Sequence, residues 1–223
     1  SFTCEAGSTT AIIGGTGSGK STIAKLIPRL IDTQGGEVLL NGYALADVPQ
    51  RELRKQIGFV PQKAYLFSGT IAENLRHGNK RATEEEINHA LSIAQATPFI
   101  SSLPHGIKTT VSQGGTNFSG GQKQRLAIAK MLMKKPQVYV FDDSFSALDF
   151  KTDAALRKAL KEETKEAIVI YVAQRISTIK DADQIIVLDE GKVVGKGTHH
   201  ELLRSCPHYL DIARSQLSEE ELV

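Results

Sequence analysis

The chain has 223 residues, of which 40% are hydrophobic, 23% charged and 6% aromatic, which is typical of a globular protein with a sizeable core. Its 27 lysines and arginines nearly balance its 25 acidic residues, so the charge does not support nucleic-acid binding through a broad basic face. The two cysteines lack metal-ligand spacing and favour a reducing compartment, and no apolar run approaches the about 20 residues of a membrane helix. With no secretory signal visible, the chain alone is expected to be soluble and cytosolic.

The chain enters its first strand a few residues after Ser1 and has no initiator methionine, which suggests a segment of a longer protein. Apolar runs of strand length then alternate with helical stretches. In chain order, the sequence predicts a strand at Thr9–Gly14, a helix at Lys20–Leu30 perturbed by Pro28, strands at Glu37–Leu40 and Ile57–Val60, a helix opened by the capping box Thr83–Glu86, a helix at Ser119–Met133, a strand at Val138–Phe141, a helix at Lys151–Thr164, and strands at Ala167–Val172, Gln184–Leu188 and Lys192–Gly195.

The order of these elements predicts an α/β fold. Strands that alternate with helices indicate a mostly parallel sheet that is covered on both faces. The helical stretch in the middle of the chain interrupts this alternation and is interpreted as an inserted α-helical subdomain. The expected division is a core of residues 1–62 and 134–223, with the helical subdomain over residues 63–133.

The turn after the first strand matches the pattern GxxxxGK[ST], in which backbone N–H groups converge on the β-phosphate of a nucleotide. Lys20 is expected to reach the β- and γ-phosphates, and the Ser21 hydroxyl is expected to ligate Mg²⁺. Because the motif lies between a strand and a helix, as it requires, it predicts a P-loop NTPase fold of RecA-like type. The nucleotide-binding residues are predicted to be Gly14, Gly15, Thr16, Gly17, Ser18, Gly19, Lys20, Ser21 and Thr22.

A second acidic motif follows the buried strand Val138–Phe141. Asp142 lies at the carboxyl end of this strand, where it is expected to hold Mg²⁺ through water. Ligands of open α/β sheets bind beyond the carboxyl ends of the strands, so the two motifs are expected at the same edge. ATP and Mg²⁺ are therefore the predicted ligands.

The sequence Phe118-Ser119-Gly120-Gly121-Gln122 resembles the signature of the ABC ATPase family, usually written LSGGQ, with Phe118 in the leucine position. A serine and two glycines at the start of a helix expose N–H groups to an anion. The resemblance implies that Ser119, Gly120, Gly121 and Gln122 face the γ-phosphate of ATP bound to a second subunit. ATP is then held between two domains, and its binding closes the dimer.

Four further segments resemble family motifs. Val60–Gln62 resembles the Q-loop, whose Gln62 would touch Mg²⁺ and link the core to the subdomain, and Ser146–Asp149 resembles the D-loop at the dimer seam. Leu66–Asn74 and Thr110–Gly115 resemble exporter segments that contact the coupling helices of a membrane domain. The resemblance therefore implies a domain at the cytoplasmic face of a membrane, partnered by a second nucleotide-binding domain and a transmembrane domain, and not by nucleic acid.

Two positions depart from the family pattern. Asp143 stands where the family has the glutamate that polarises the attacking water, and Gln174 stands where it has the switch histidine. Each change is expected to slow hydrolysis by about 10- to 1000-fold, and the two effects should not simply add. The resemblance thus assigns catalysis to Asp143, Gln174, Lys20 and Gln62, metal binding to Ser21, Gln62 and Asp142, and slow turnover to this site.

The preferred interpretation is one half of a heterodimeric exporter, whose partner carries glutamate and histidine at these two positions. An active homodimer that tolerates both changes, and a purely regulatory nucleotide-binding module, stay open as alternatives. A non-transport ABC ATPase acting on DNA or ribosomes would be expected to show a coiled-coil insertion or basic arms, and the sequence has neither.

Several aromatic and histidine residues receive no functional role. The adenine-stacking aromatic of the family lies upstream of the P-loop strand, before Ser1, so Tyr43 and Tyr65 are not assigned to it. His199 and His200 lie in a capping box that opens a short helix, and both are expected to be solvated.

Overall fold

The computed structural model describes residues 1–222, so the last residue of the predicted core segment lies outside the described residues. The strands are β1 (Thr9–Gly14), β2 (Leu39–Leu40), β3 (Tyr43–Ala44), β4 (Ile57–Val60), β5 (Gly69–Thr70), β6 (Thr110–Val111), β7 (Val138–Asp142), β8 (Ile168–Val172), β9 (Gln184–Asp189) and β10 (Lys192–Gly197). The helices are α1 (Lys20–Leu26), α2 (Gln50–Gln56), α3 (Ile71–Arg76), α4 (Glu84–Ile93), α5 (Thr97–Ser101), α6 (Gly120–Leu132), α7 (Phe150–Glu163), α8 (Ile176–Ile179), α9 (His199–Ser205) and α10 (Pro207–Arg214).

The main sheet has six strands in the order β10-β9-β1-β8-β7-β4. The pairs β1–β8, β1–β9 and β7–β8 are parallel, and β10 returns antiparallel to β9. The predicted α/β fold with a mostly parallel sheet is confirmed. Val172 pairs with Ile12 of β1 on one side and with Asp142 of β7 on the other, so the carboxyl ends of these strands meet at one edge.

Both faces of β1 are covered. Ala11 and Ile13 belong to a buried cluster with Tyr209 and Ala213 of α10, whereas Ile12 belongs to a second cluster with Ala24 of α1. This alternation follows the two-residue period of a strand, in which successive side chains point to opposite faces. The central strand is therefore buried on both sides, and its apolar run Ala11–Ile13 reflects that burial.

The first helix ends earlier than predicted, at Leu26 rather than Leu30. The N–H of Leu30 bonds to the carbonyl of Lys25, and that of Arg29 bonds to Leu26, which is the Schellman pattern. Arg29 takes the left-handed position at φ 51° that glycine usually occupies. Its guanidinium compensates by donating to the carbonyls of Leu45, Ala46 and Val48.

The described residues divide into two compact units. The first unit contains Ser1–Phe59, Gln137–Asp143 and the residues from Glu166 onward, and the second contains Val60–Pro136 and Ser144–Lys165. The predicted subdomain 63–133 falls within the second unit. That unit also takes in α7, which packs on α4, where His89 Nε2 lies 3.1 Å from Glu163 Oε2. The core and subdomain boundaries at residues 62 and 134 stay a prediction.

Candidate functional site

The glycine-rich turn between β1 and α1 uses its glycines for two different reasons. Gly17 and Gly19 have φ angles of 81° and 97°, a region that residues with a side chain rarely adopt. At Gly14, a Cβ atom would lie 2.1 Å from the carbonyl oxygen of Leu188 in β9. A Cβ at Gly15 or Gly17 would meet no atom within 4 Å, so the turn leaves open space of the kind a phosphate group needs.

Lys20 begins α1 and turns its ammonium group back into this turn. Its Nζ donates to the carbonyl oxygens of Gly14 and Gly15 at 2.9 and 2.7 Å. Burial lowers the pKa of Lys20, and the charges of Asp143 and Asp142 oppose that effect. The turn therefore holds a buried cation beside its open space.

Ser21 and Asp142 meet at the carboxyl edge of the sheet. The Ser21 hydroxyl donates to Asp142 Oδ1 at 2.8 Å, and Asp142 is only 3% exposed at the end of β7. A hydroxyl and a carboxylate are oxygen donors of the kind that Mg²⁺ prefers, so the residues present fit that ion. The two motifs that the sequence places far apart thus converge, as the strand order requires.

Asp143 and Gln174 form a hydrogen-bonded pair. Gln174 Nε2 donates to Asp143 Oδ2 at 2.9 Å, although the residues are 31 positions apart. Asp143 has a φ of 47°, and its N–H bonds to the carbonyl of Val172 at 2.8 Å, so its backbone is tied to β8. The two departures from the family pattern are therefore in direct contact.

Gln216 is a residue that sequence reasoning missed. Its Nε2 donates to the carbonyl of Gln174 at 2.8 Å, and its Oε1 accepts from the N–H of Ile176 at 2.8 Å. It follows α10, 42 residues from Gln174. A single glutamine at the end of a helix carries no motif, so nothing in the sequence indicates this contact.

The predicted signature residues lie in the second unit, at the start of α6. Ser119 is the N-cap: its hydroxyl accepts from the N–H of Gln122 at 3.2 Å, and the Gln122 side chain accepts from the N–H of Ser119 at 2.9 Å. Ser119 and Gly120 are exposed, whereas Gly121 and Gln122 are partly buried. A Cβ at Gly121 would lie 3.0 Å from the carbonyl oxygen of Ala147, so the signature and D-loop segments approach closely.

Gln62 is exposed and also belongs to the second unit, whereas Lys20, Ser21 and Asp142 belong to the first. The segment that carries Gln62 is anchored at Pro61, whose carbonyl accepts from Nε2 of the buried Gln124 at 3.0 Å. The remaining predicted nucleotide-binding residues follow the turn: Thr16 is exposed, Ser18 is buried, and Thr22 is exposed on α1.

The expectation of two solvated histidines is wrong for His199. The capping box is confirmed, with the Thr198 hydroxyl accepting from the backbone N–H of Glu201. His199 is only 7% exposed, and its Nδ1 lies 2.7 Å from the Tyr209 hydroxyl. Burial lowers the pKa of His199, whereas His200 beside it is exposed. The helix α10 covers His199 because Tyr209 is part of the apolar cluster under β1.

Comparison with known proteins gives consistent matches. A family model described as ABC transporter matches residues 1–146. The chain is 50% identical over 219 residues to an uncharacterized ABC transporter ATP-binding protein of Mycobacterium bovis, covering 97% of this chain and 37% of that protein. It is 40% identical over 215 residues to the ATP-dependent lipid A-core flippase of Chromobacterium violaceum, covering 96% and 37%.

A solved structure, that of a bacterial Atm1-family ABC exporter with ATP bound, matches 98% of this chain and 38% of that chain with a TM-score of 0.94 and 40% identity. The chain thus spans less than two fifths of the length of each of these proteins. Within residues 1–222, none of the helices is both long enough and apolar enough to cross a membrane.

Proposed function

The chain belongs to the ABC transporter family, and from that premise we propose that it is the MgATP-binding domain of an exporter. MgATP binding closes a dimer of two nucleotide-binding domains at the cytoplasmic face of the membrane, and hydrolysis drives export through a transmembrane domain. The observation that carries this proposal is the convergence of Lys20, Ser21 and Asp142 at the carboxyl ends of β1 and β7. The likeness to an exporter with ATP bound supports it.

Nucleotide binding follows from the turn and its charges. The open space at Gly15 and Gly17 admits the phosphates, and Lys20 exchanges its two carbonyl partners for the β- and γ-phosphate oxygens. Ser21 and Asp142 would hold Mg²⁺. When bound, Mg²⁺ neutralises phosphate charge and orients the γ-phosphoryl group.

The slow turnover proposed for this site follows from Asp143 and Gln174, which would lie at the γ-phosphate end of the nucleotide. Asp143 is one methylene shorter than glutamate, and hydrolysis is sensitive to misplacement of about 1 Å. One of its carboxylate oxygens is occupied by the Gln174 amide. A neutral amide also cannot supply the positive charge that a protonated histidine brings to the phosphate. Both changes therefore slow hydrolysis, whereas Lys20, Ser21 and Asp142 still support MgATP binding.

The signature residues Ser119–Gln122 retain their capping geometry, which supports a role in the partner's site. We infer that the partner is a different chain with glutamate and histidine at the two positions of departure. Most hydrolysis then occurs in the site that this chain's signature completes. A partner that also carries aspartate and glutamine there contradicts the inference.

Steady-state ATP hydrolysis tests the slow-site proposal. The intact protein that carries this chain, purified without a partner, is compared with a variant carrying Asp143→Glu and Gln174→His. We expect the unmodified protein to bind MgATP but to hydrolyse it near background, and the variant to gain at least about tenfold. A matched control makes the same two exchanges at the exposed Asp47 and Gln50, where no gain is expected.

The outcomes separate the alternatives. Brisk hydrolysis by the unmodified protein refutes the slow site and favours an active homodimer. Tight MgATP binding without hydrolysis in either form favours a purely regulatory module. Failure to bind MgATP at all refutes the nucleotide-binding proposal itself.

A further inference from the structure

Gln216 makes a two-point contact with the backbone on either side of Arg175. Its amide N–H donates to the carbonyl oxygen of Gln174, and its amide oxygen accepts from the N–H of Ile176, both at 2.8 Å. The side-chain amide of Gln216 therefore uses both its N–H donor and its oxygen acceptor on the backbone, as one peptide group does with the neighbouring strand in a sheet. Although Gln216 is exposed, its side chain is held in one orientation by two partners.

The contact supplies a cap that the local sequence lacks. Ile176 begins the four-residue helix α8, and the N-cap residue, Arg175, makes no side-chain capping bond. The first N–H groups of a helix have no partner within the helix and need one from outside. Gln216 provides it for Ile176 from a segment 40 residues away.

The segment that carries Gln216 is anchored by apolar packing. Ala213 is fully buried and Leu217 is partly buried, and both pack in the same cluster as Ala173 and Ile176. The N–H groups of Gln216 and Leu217 both bond to the carbonyl of Ala213, at 3.0 and 2.8 Å. Gln216 is therefore fixed in the turn between two anchors, facing the residues that flank Gln174.

Gln174 is thus held from two sides. Before it, Ala173 is tied to β1 by a 3.1 Å bond from its N–H to the carbonyl of Ile12. After it, Gln216 fixes both the Gln174 carbonyl and the Ile176 N–H. With its backbone fixed, the Gln174 side chain reaches Asp143 Oδ2 at 2.9 Å.

We propose that Gln216 is a positioning residue for Gln174, through which the C-terminal turn after α10 sets the γ-phosphate end of the nucleotide site. The inference rests on the proposed MgATP-binding function, since it concerns the same site. Because Gln174 is proposed to face the γ-phosphate, which ADP lacks, Gln216 should affect ATP affinity and leave ADP affinity unchanged.

Two substitutions separate positioning from simple helix capping. Gln216→Ala removes both hydrogen bonds. Gln216→Glu keeps an oxygen for the Ile176 N–H but sets a carboxylate oxygen against the Gln174 carbonyl, so it breaks only that contact. Ser215→Ala is the matched control, since Ser215 is exposed on the same turn and bonds only locally, to the carbonyl of Ile212 at 2.7 Å.

The affinities for MgATP and MgADP are measured by titration calorimetry on the intact protein, and hydrogen exchange is followed in the peptide containing Ile176. For Gln216→Ala we expect about three- to tenfold weaker MgATP binding, less than about twofold change for MgADP, and faster exchange at Ile176. Gln216→Glu should weaken MgATP similarly while Ile176 stays protected. In a Gln174→Ala background, Gln216→Ala should change MgATP affinity by less than about twofold.

Either of two results overturns the inference: equal losses for MgATP and MgADP, or an undiminished effect of Gln216→Ala in the Gln174→Ala background. Either result would mean that Gln216 stabilises the fold without positioning Gln174. If the unmodified protein binds no MgATP, the proposed function is refuted instead. The two failures are therefore distinguishable. If Gln216→Ala does not fold, the comparison rests on Gln216→Glu, which keeps the cap of α8.

Discussion

The close approach of β1 and β9 predicts opposite effects for alanine at two adjacent glycines. A Cβ at Gly14 would lie 2.1 Å from the Leu188 carbonyl oxygen and 2.7 Å from Ser18 Oγ. The serine can rotate, but the carbonyl is part of β9, where Leu188 pairs with Gly14 on one side and with Val193 on the other. An ordinary contact requires a backbone shift of about 1 Å, and we expect Gly14→Ala to destabilise the fold by about 2–4 kcal/mol.

Gly15 provides the matched control, since a Cβ there meets no atom within 4 Å and its φ is not positive. Gly15→Ala should be neutral or stabilise by up to about 1 kcal/mol, because alanine restricts the unfolded chain. Urea unfolding followed by circular dichroism measures both, and at a slope of about 2–3 kcal/mol/M the Gly14→Ala midpoint should fall by about 1 M. Equal midpoints for the two variants would refute the packing argument.

Three further predictions concern the site and its supports. Lys20→Met should weaken MgATP binding by about 10- to 100-fold without altering the circular dichroism spectrum, whereas Lys25→Met, at an exposed position of the same helix, should not; equal affinities would contradict the role of Lys20. Because burial lowers the folded-state pKa of His199, the unfolded chain binds more protons as the pH falls through about 6.5, and stability should decrease there. His199→Gln should reduce the fall in urea midpoint between about pH 7.5 and pH 5.5, and identical pH dependence would exclude His199 as its source. Ser119→Ala should lower the stability of α6 by about 1 kcal/mol, seen as faster hydrogen exchange in its first turn, and unchanged exchange would show that the cap contributes nothing.

Short local sequence patterns were enough to predict the phosphate-binding turn and several helix starts. The P-loop lies between a strand at Thr9–Gly14 and a helix that starts at Lys20, and both starts are confirmed. The capping boxes at Thr83 and Thr198 are also confirmed, because they depend only on residues three positions apart. The end of α1 was predicted four residues too late. A glycine usually marks the positive-φ position of a Schellman turn, but here that position is Arg29.

The sequence by itself determined most of the strands and helices, the phosphate-binding turn and the family. Each of these depends on neighbouring residues or on a short motif. Only the tertiary structure decided that Gln174 bonds to Asp143, that Gln216 holds Gln174, and that His199 is buried against Tyr209. Each of these contacts joins side chains brought together by the packing of separate elements. Their partners are set by strand order and helix packing, which no short stretch of sequence encodes.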